Sequence, residues 1–344
     1  MLPSSRLHCN SSKSLRHEHL IRFACIGGLD GENAADEHDT GNKAAIGTRP
    51  AGLDAGHPGM TSHMGNVVFL AVLFAAACHA GWNALIKVGL TPLPTTTLIS
   101  VGAGVVALAF APLTGFPAAA SWPWLLASII IHLFYFAGLI ETYRTGDLGQ
   151  VYPIARGAAP LMTATIAALW IGENQSFIGW IGIVALVTGV FMLSARGGRE
   201  ETHIDKRAIG FALFTALMIC AYSVVDGIGG RLSRNPNAYS VWLFAGIAVV
   251  MVPYALFRDG REVIPAMQRY WLRGFVGGAL QFASYGIAIW AMTVAPIAIV
   301  ASLRETSVLF GALIAVLVLK EPLRPVRIAA ALLIVCGLVL IRLQ

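Results

Sequence analysis

Along residues 66–342, ten stretches of 17 to 23 largely apolar residues alternate with short polar connections. They run near 66–86, 95–112, 122–143, 148–170, 177–195, 208–230, 238–257, 274–292, 297–319 and 326–342. A helix needs about 20 mostly apolar residues to cross a bilayer. The pattern therefore predicts an all-α integral membrane protein with ten transmembrane helices. Several stretches are rich in Gly and Ala, such as SVGAGVVALAFA and RGFVGGALQFASYG. Small residues let helix backbones approach closely in lipid, which predicts a packed bundle.

The second half of this pattern repeats the first. A shift of 148 positions places Arg156 on Arg304, Glu173 on Glu321 and Gly189 on Gly337. It also places Leu161 on Leu309 and Leu169 on Leu317. Five spans per half is an odd number, so the second half must enter the membrane upside down, giving two inverted-topology five-helix repeats. The expected organisation is an extension over 1–63, a first repeat over 64–196, a linker over 197–207 and a second repeat over 208–344. The odd-numbered connections hold 13 Lys and Arg residues, against three in the even ones and the C-terminal tail. Positive charge favours the cytoplasmic side. That count places the odd connections in the cytoplasm and both termini outside.

Composition agrees with the pattern. The 344 residues are 56% hydrophobic and 12% charged, where a soluble domain carries about 25% charge. The net charge of +6 sits in connections between apolar spans, so it reads as topology and not as a nucleic-acid surface. None of the five cysteines forms a CxxC pair or zinc spacing. Cys78, Cys220 and Cys336 read as small buried hydrophobes.

Residues 1–63 depart from the rest. They hold six of the nine histidines, seven acids and six bases, and Phe23 is their one aromatic residue. No apolar run with a small-residue cleavage site marks a signal peptide, and the mixed charge predicts disorder. MGNVVFLAVLF reads as a natural start, so translation is expected to begin at Met64 or Met60, with the first 63 residues non-native.

Ionisable groups inside apolar spans are costly and mark functional sites or buried pairs. Arg156, in the fourth span, and Arg304, in the ninth, are related by the repeat. Both fall about 10–12 Å along their spans at 1.5 Å per residue. Guanidinium holds carboxylate bidentately, so the two suit an anionic group near the pseudo-two-fold axis. The bland readings are snorkelling of Arg156 after a helix start at Pro153, and a local pair of Arg304 with Glu305. Pro153, Gly157 and Pro160 could kink the fourth span.

In the first span, His79 and Asn83 lie four apart and Trp82 shares much of that face. In the sixth, Tyr222 and Asp226 repeat the arrangement. These residues could line a central cavity, and His79 and Asp226 could carry protons; the alternative is interhelical hydrogen bonding. The third and eighth spans supply His132, Tyr135 and Phe136, then Gln281, Tyr285 and Trp290. Tyr135 and Tyr285 are candidates to contact a substrate body, or else to pack. Glu141, three residues before Arg144, reads as half of a local ion pair. Glu173 and Glu321 read as loop or cap contacts.

The sequence carries no GxxxxGK[ST], GxSxG or HExxH motif. Neither enzymatic chemistry, a cofactor nor a metal site is expected.

The ten spans, the five-helix repeats, the Trp82–Asn83 pair and YPIARGAAP at 152–160 together resemble the EamA-type families of the drug/metabolite transporter superfamily. WIGEN at 170–174 and LKEP at 319–322 resemble it too. The likeness covers residues 64–343, although IVASLRET in the second repeat departs from YPIARG. It implies a gradient-driven carrier, often an exporter of amino acids, related metabolites or drugs, with its site between the halves. Its helix-four motif adds Tyr152 to the substrate-binding candidates Arg156, Arg304, Trp82, Asn83, Tyr135 and Tyr285. The expected function is a secondary active transporter exporting a small polar metabolite such as an amino acid by alternating access. A drug or organic-anion (phosphonate-type) carrier and a non-transport membrane subunit are the alternatives. Expected partners are a small-molecule substrate and the lipid bilayer, not nucleic acid, with a homodimer left open. The expected location is a bacterial inner membrane. Mass spectrometry of the protein expressed from its own upstream DNA should yield no peptide from residues 20–50; such a peptide would overturn the internal start.

Overall fold

The computed structural model describes residues 65–86, 91–145, 148–194, 206–317 and 325–343, with the side chains of 143–153, 266 and 315 outside that description. The extension 1–63, most of the linker 197–207, Glu321, and the side chains of Arg144 and Tyr152 therefore lie outside the described residues.

The first repeat contains α1 (Asn66–Ile86), α2 (Pro92–Thr114), α3 (Trp122–Thr145), α4 (Leu148–Ile166) and α5 (Phe177–Ser194). The second contains α6 (Lys206–Leu232), α7 (Pro236–Asp259), the short α8 (Val263–Arg269), α9 (Trp271–Val294), α10 (Ile297–Arg304), α11 (Ser307–Leu317) and α12 (Pro325–Arg342). Among the described residues, nine stretches are long and apolar enough to span a membrane, and α5 adds a shorter apolar helix. The chain is an all-α integral membrane protein of two inverted five-helix repeats.

Two spans carry detail beyond the apolar pattern. The fourth runs unbroken from Leu148 past Pro153 and Pro160, then loosens into a π turn over Ala167–Ile171 that Gly172 ends at φ 78°. Helix α4 thus begins five residues before Pro153, so Pro153 does not start it. The ninth span, expected as one helix, breaks at Glu305–Thr306 into α10 and α11. Neither Gly nor Pro stands there, so no local sequence signal announces the break.

Local chemistry sets the helix ends. Pro236 opens α7 at a position where a missing N–H costs nothing. The Asn235 carboxamide oxygen caps it, accepting from the backbone N–H groups of Asn237 and Ala238 at 3.1 and 3.2 Å. Asn235 Nδ2 also donates to the Thr114 carbonyl at 3.0 Å, joining the ends of α2 and α7. Inside the spans, Thr97, Thr163, Thr215 and Ser223 donate to carbonyls four residues back. That disposes of hydroxyls which lipid could not satisfy.

The helix pairing obeys the pseudo-two-fold. Helix α2 packs on its counterpart α7, and α5 on its counterpart α12. Helix α3 packs on α6, mirrored by α1 on α9; α4 on α6 is mirrored by α1 on α11. Each repeat therefore buries its faces largely against the other. Exposed apolar side chains, including Leu70, Val105, Val184 and Leu332, cover the outside. Trp170, Phe257 and Trp271 project near helix ends, where aromatic residues sit at membrane interfaces.

Glycine allows the α5–α12 contact. A Cβ on Gly337 would lie 2.6 Å from the Gly182 carbonyl oxygen and from the Leu186 nitrogen. A Cβ on Gly189 would lie 2.9 Å from the Ala330 carbonyl oxygen. These are backbone atoms and cannot swing aside. Gly337→Ala is expected to destabilise the protein by about 1–3 kcal/mol, the usual cost of overpacking. Gly311→Ala, in open space, is the matched control. Thermal unfolding in detergent checks this, and equal midpoints for the two variants would contradict it.

Candidate functional site

Helix α4 carries Arg156 toward α10, and the break after α10 turns Glu305 back toward it. Arg156 Nε lies 3.0 Å from Glu305 Oε2, with both side chains 5% exposed. Arg156 Nη2 also donates to Ser307 Oγ at 3.3 Å. Glu305, which the alternative reading of the sequence paired with Arg304, thus pairs with Arg156 between repeats. Snorkelling is excluded for the same reason: Arg156 is buried against α10 and α11.

The repeat explains what happens to Arg304. Shifted by 148 positions, Glu305 falls on Gly157, so the repeat supplies no matching acid for Arg304. Its guanidinium carbon instead lies over the Tyr285 ring, 4.6 Å from the centroid, beside Tyr222. Such a cation–π contact is worth about 0.5–2 kcal/mol. Arg304 is 6% exposed, and its Nε has no acceptor among the described residues.

Beyond Tyr285 sits Asp226, fully buried on α6. Tyr239 donates to its Oδ1 at 2.9 Å and Tyr285 to its Oδ2 at 2.5 Å. Ser128 reaches the same carboxylate, and His132 lies close by. The His132 ring stacks on Tyr222 with centroids 4.3 Å apart. His132 Nδ1 lies 2.9 Å from the Ser128 carbonyl, a contact that requires the proton on Nδ1.

A small cavity, with room for about one water molecule, opens between α1, α3, α4 and α6. His79, Asn83, Tyr135, Arg156, Thr215 and Ile219 are among the residues around it. All belong to the half of the bundle nearer the odd connections. Asn83 donates to the His79 carbonyl at 2.8 Å. Tyr135 leads inward, edge-on to Tyr222 at 5.5 Å, and Tyr222 is edge-on to Tyr285 at 5.4 Å. An unbroken aromatic path therefore runs from the cavity to Arg304 and Asp226.

The sequence candidates fall into two neighbouring groups. His79, Asn83, Tyr135 and Arg156 share the cavity, while Arg304, Tyr285 and Asp226 lie at the far end of the aromatic path. Trp82 is not among the cavity residues; it packs edge-on against His79 at 5.0 Å and is buried. Sequence reasoning ranked Tyr222, His132 and Glu305 below these groups and missed Tyr239 and Ser307. The signal for Tyr222 was its four-residue spacing to Asp226. Glu141 pairs at 2.5 Å with Arg258 on α7, an interhelical partner that spacing along one helix could not reveal.

The profile of the EamA-like transporter family matches residues 66–195 and again 206–343. The chain belongs to the EamA-like transporter family. It is a membrane transporter of the drug/metabolite transporter superfamily, and the family's members are transporters, not enzymes. No curated protein matches it. Among 29 matching solved chains, one described only as a crystal structure of a protein superposes with a TM-score of 0.63. It is 17% identical, over 80% of this chain and 96% of its own, a likeness that shows the fold.

Tyr285→Phe keeps the ring beneath Arg304 but strips a donor from the buried Asp226 carboxylate. An under-satisfied buried acceptor costs about 1–3 kcal/mol, so the unfolding midpoint of this EamA-family protein should fall. An unchanged midpoint would show that the short Tyr285–Asp226 bond adds nothing to stability.

Proposed function

We propose that this EamA-family transporter is a secondary active carrier that exports a small zwitterionic metabolite of the amino-acid class by alternating access. The observation that carries this reading is the buried Arg304 guanidinium, whose Nε has no acceptor among the described residues, beside the Arg156–Glu305 pair. A buried charged donor without an acceptor is expensive, and a substrate carboxylate would complete it. Glu305 would then face the substrate ammonium.

Charge balance supports the same class. With their acids ionised, Arg156, Arg304, Asp226 and Glu305 sum to zero. A zwitterion preserves that balance, whereas a dianion or a cationic drug would leave uncompensated charge in a dry interior, at a cost of several kcal/mol. Tyr135 and Tyr285 would contact the body of the substrate, with Asn83 at the cavity and Trp82 supporting it through His79. Tyr152 belongs to the same proposal through its motif alone.

His79 and Asp226 are the candidates for proton coupling in this scheme. What supports Asp226 is its full burial beside His132, with tyrosine hydroxyls from two helices on its carboxylate. The cell membrane in question would be a bacterial inner membrane.

The test is a tolerance and efflux panel in cells overexpressing the chain. It covers amino acids, their toxic analogues, purines, phosphonates and cationic drugs. Resistance to amino-acid analogues is expected. Arg156→Ala should reduce it about 30-fold or more, since losing one partner of a buried charge pair costs about 2–5 kcal/mol. Protection against phosphonates or cationic drugs alone would overturn the zwitterion reading. Asp226→Asn should abolish the response of efflux to an imposed pH gradient; an unchanged response would remove Asp226 from coupling.

A further inference from the structure

At the end of the bundle nearer the even connections, three elements from the two repeats meet on one carboxylate. Glu173 follows the π turn of the first repeat. Its Oε1 accepts from Arg231 Nη2 at 2.5 Å, and its Oε2 accepts from the Ile297 backbone N–H at 2.7 Å. Arg231, in the last turn of α6, also donates to the carbonyls of Met292 at 2.9 Å and Ala295 at 3.3 Å. The Glu173 side chain is 6% exposed and that of Arg231 25%. Gly172, at φ 78°, makes the left-handed turn that aims Glu173 inward.

This clasp holds the first residue of α10. The other end of α10 is Arg304, and the next residue is Glu305. Arg304 lies seven positions after Ile297, about 10 Å along a helix. Pro296 bounds α10 on one side and the break at Glu305–Thr306 on the other. All eight residues of α10 are buried. It is a short helix, set off from α11 by a tight turn at 305–306, with a contact between repeats at each end: Glu173 on Ile297 at one and Arg156 on Glu305 at the other.

We propose that α10 couples the two, so that loss of the Arg156–Glu305 contact when substrate enters loosens the Glu173–Arg231 clasp. The clasp then serves as the gate on the even-connection face, and Glu173 and Arg231 are positioning residues acting through α10. The known cavity lies in the opposite half of the bundle, so the clasp closes the face away from it. Two contacts between repeats, one at each end of one helix, give a physical route by which the two ends can influence each other. What loosens the inner end rests on the zwitterion reading of the site; the mechanical link does not.

Hydrogen exchange on the full chain in lipid nanodiscs tests the link without any substrate. Glu305→Gln should speed exchange in peptides covering 229–235 and 291–298, at the clasp. Glu173→Gln should do the same for 303–309, at the inner end. A coupling of about 1–3 kcal/mol corresponds to roughly fivefold or more in each case. Peptides covering 99–107 and 243–251, in the α2–α7 contact, should stay at wild-type rates. Arg156→Gln, which removes the other partner of the contact, replaces Glu305→Gln should that variant not fold. Effects confined to the mutated end, or an equal speed-up in the α2–α7 peptides, would overturn the proposal. Because no substrate is present, a negative efflux panel would leave this result standing, and absent coupling would leave the transport reading standing.

Discussion

The contact between Arg156 and Glu305 sets the terms for the rest of the interior. It puts a charge pair between repeats deep in a bundle whose outside is apolar. Removing one partner of such a pair typically costs about 3–5 kcal/mol, while replacing both with apolar groups is often neutral or stabilising. A chain selected for stability alone has little reason to keep it. The pair sits at the break at Glu305–Thr306, where bonds to carbonyls three residues back replace the helical ones and the ninth span divides into α10 and α11. Both features tie one repeat to the other near the centre of the molecule, where a carrier must recognise its cargo and rearrange.

Around that point the two-fold arrangement is followed in the packing and abandoned in the chemistry. Helix contacts come in symmetric sets, and Gly189 and Gly337 serve matching close approaches between α5 and α12. The polar groups do not follow. Glu305 has a glycine, Gly157, as its counterpart, and a Cβ there would collide with the Phe191 ring. Arg304 is consequently left on the face of Tyr285 while Arg156 has its acid. Asp226, held by Tyr239 and Tyr285, gives the second repeat a carboxylate one ring away from Arg304. An approximately symmetric scaffold thus carries an asymmetric set of polar groups, which is what the proposed zwitterionic cargo, with its unlike ends, would require.

The architecture could be read from the sequence because membrane solvent imposes a strong rule: every span is long, apolar and helical. The repeat register singled out Arg156 and Arg304 for the same reason, since charge is rare in such spans. The partners of these arginines were not legible. Glu305 lies next to Arg304 in the chain and reads as its neighbour, yet the turn at 305–306 directs it to Arg156. The turn has no glycine or proline to signal it. Glu141 likewise finds Arg258 through helix packing that one-helix spacing does not encode. Prolines misled in the opposite direction: Pro153 and Pro160 lie within an unbroken α4, and the irregular turn falls after them, at residues with no breaker among them. The clasp on Glu173 was foreseen only as a loop or cap contact, because Arg231 is 58 positions away.

The central claim is that the buried pair exists for cargo and not for folding. Amino-acid efflux by the folded double variant Arg156→Leu/Glu305→Leu tests it most directly. The account predicts a protein whose unfolding midpoint matches or exceeds that of either single variant, and which exports no amino acid or analogue. Efflux at the wild-type rate from that double variant would contradict it and make the pair a structural tie alone.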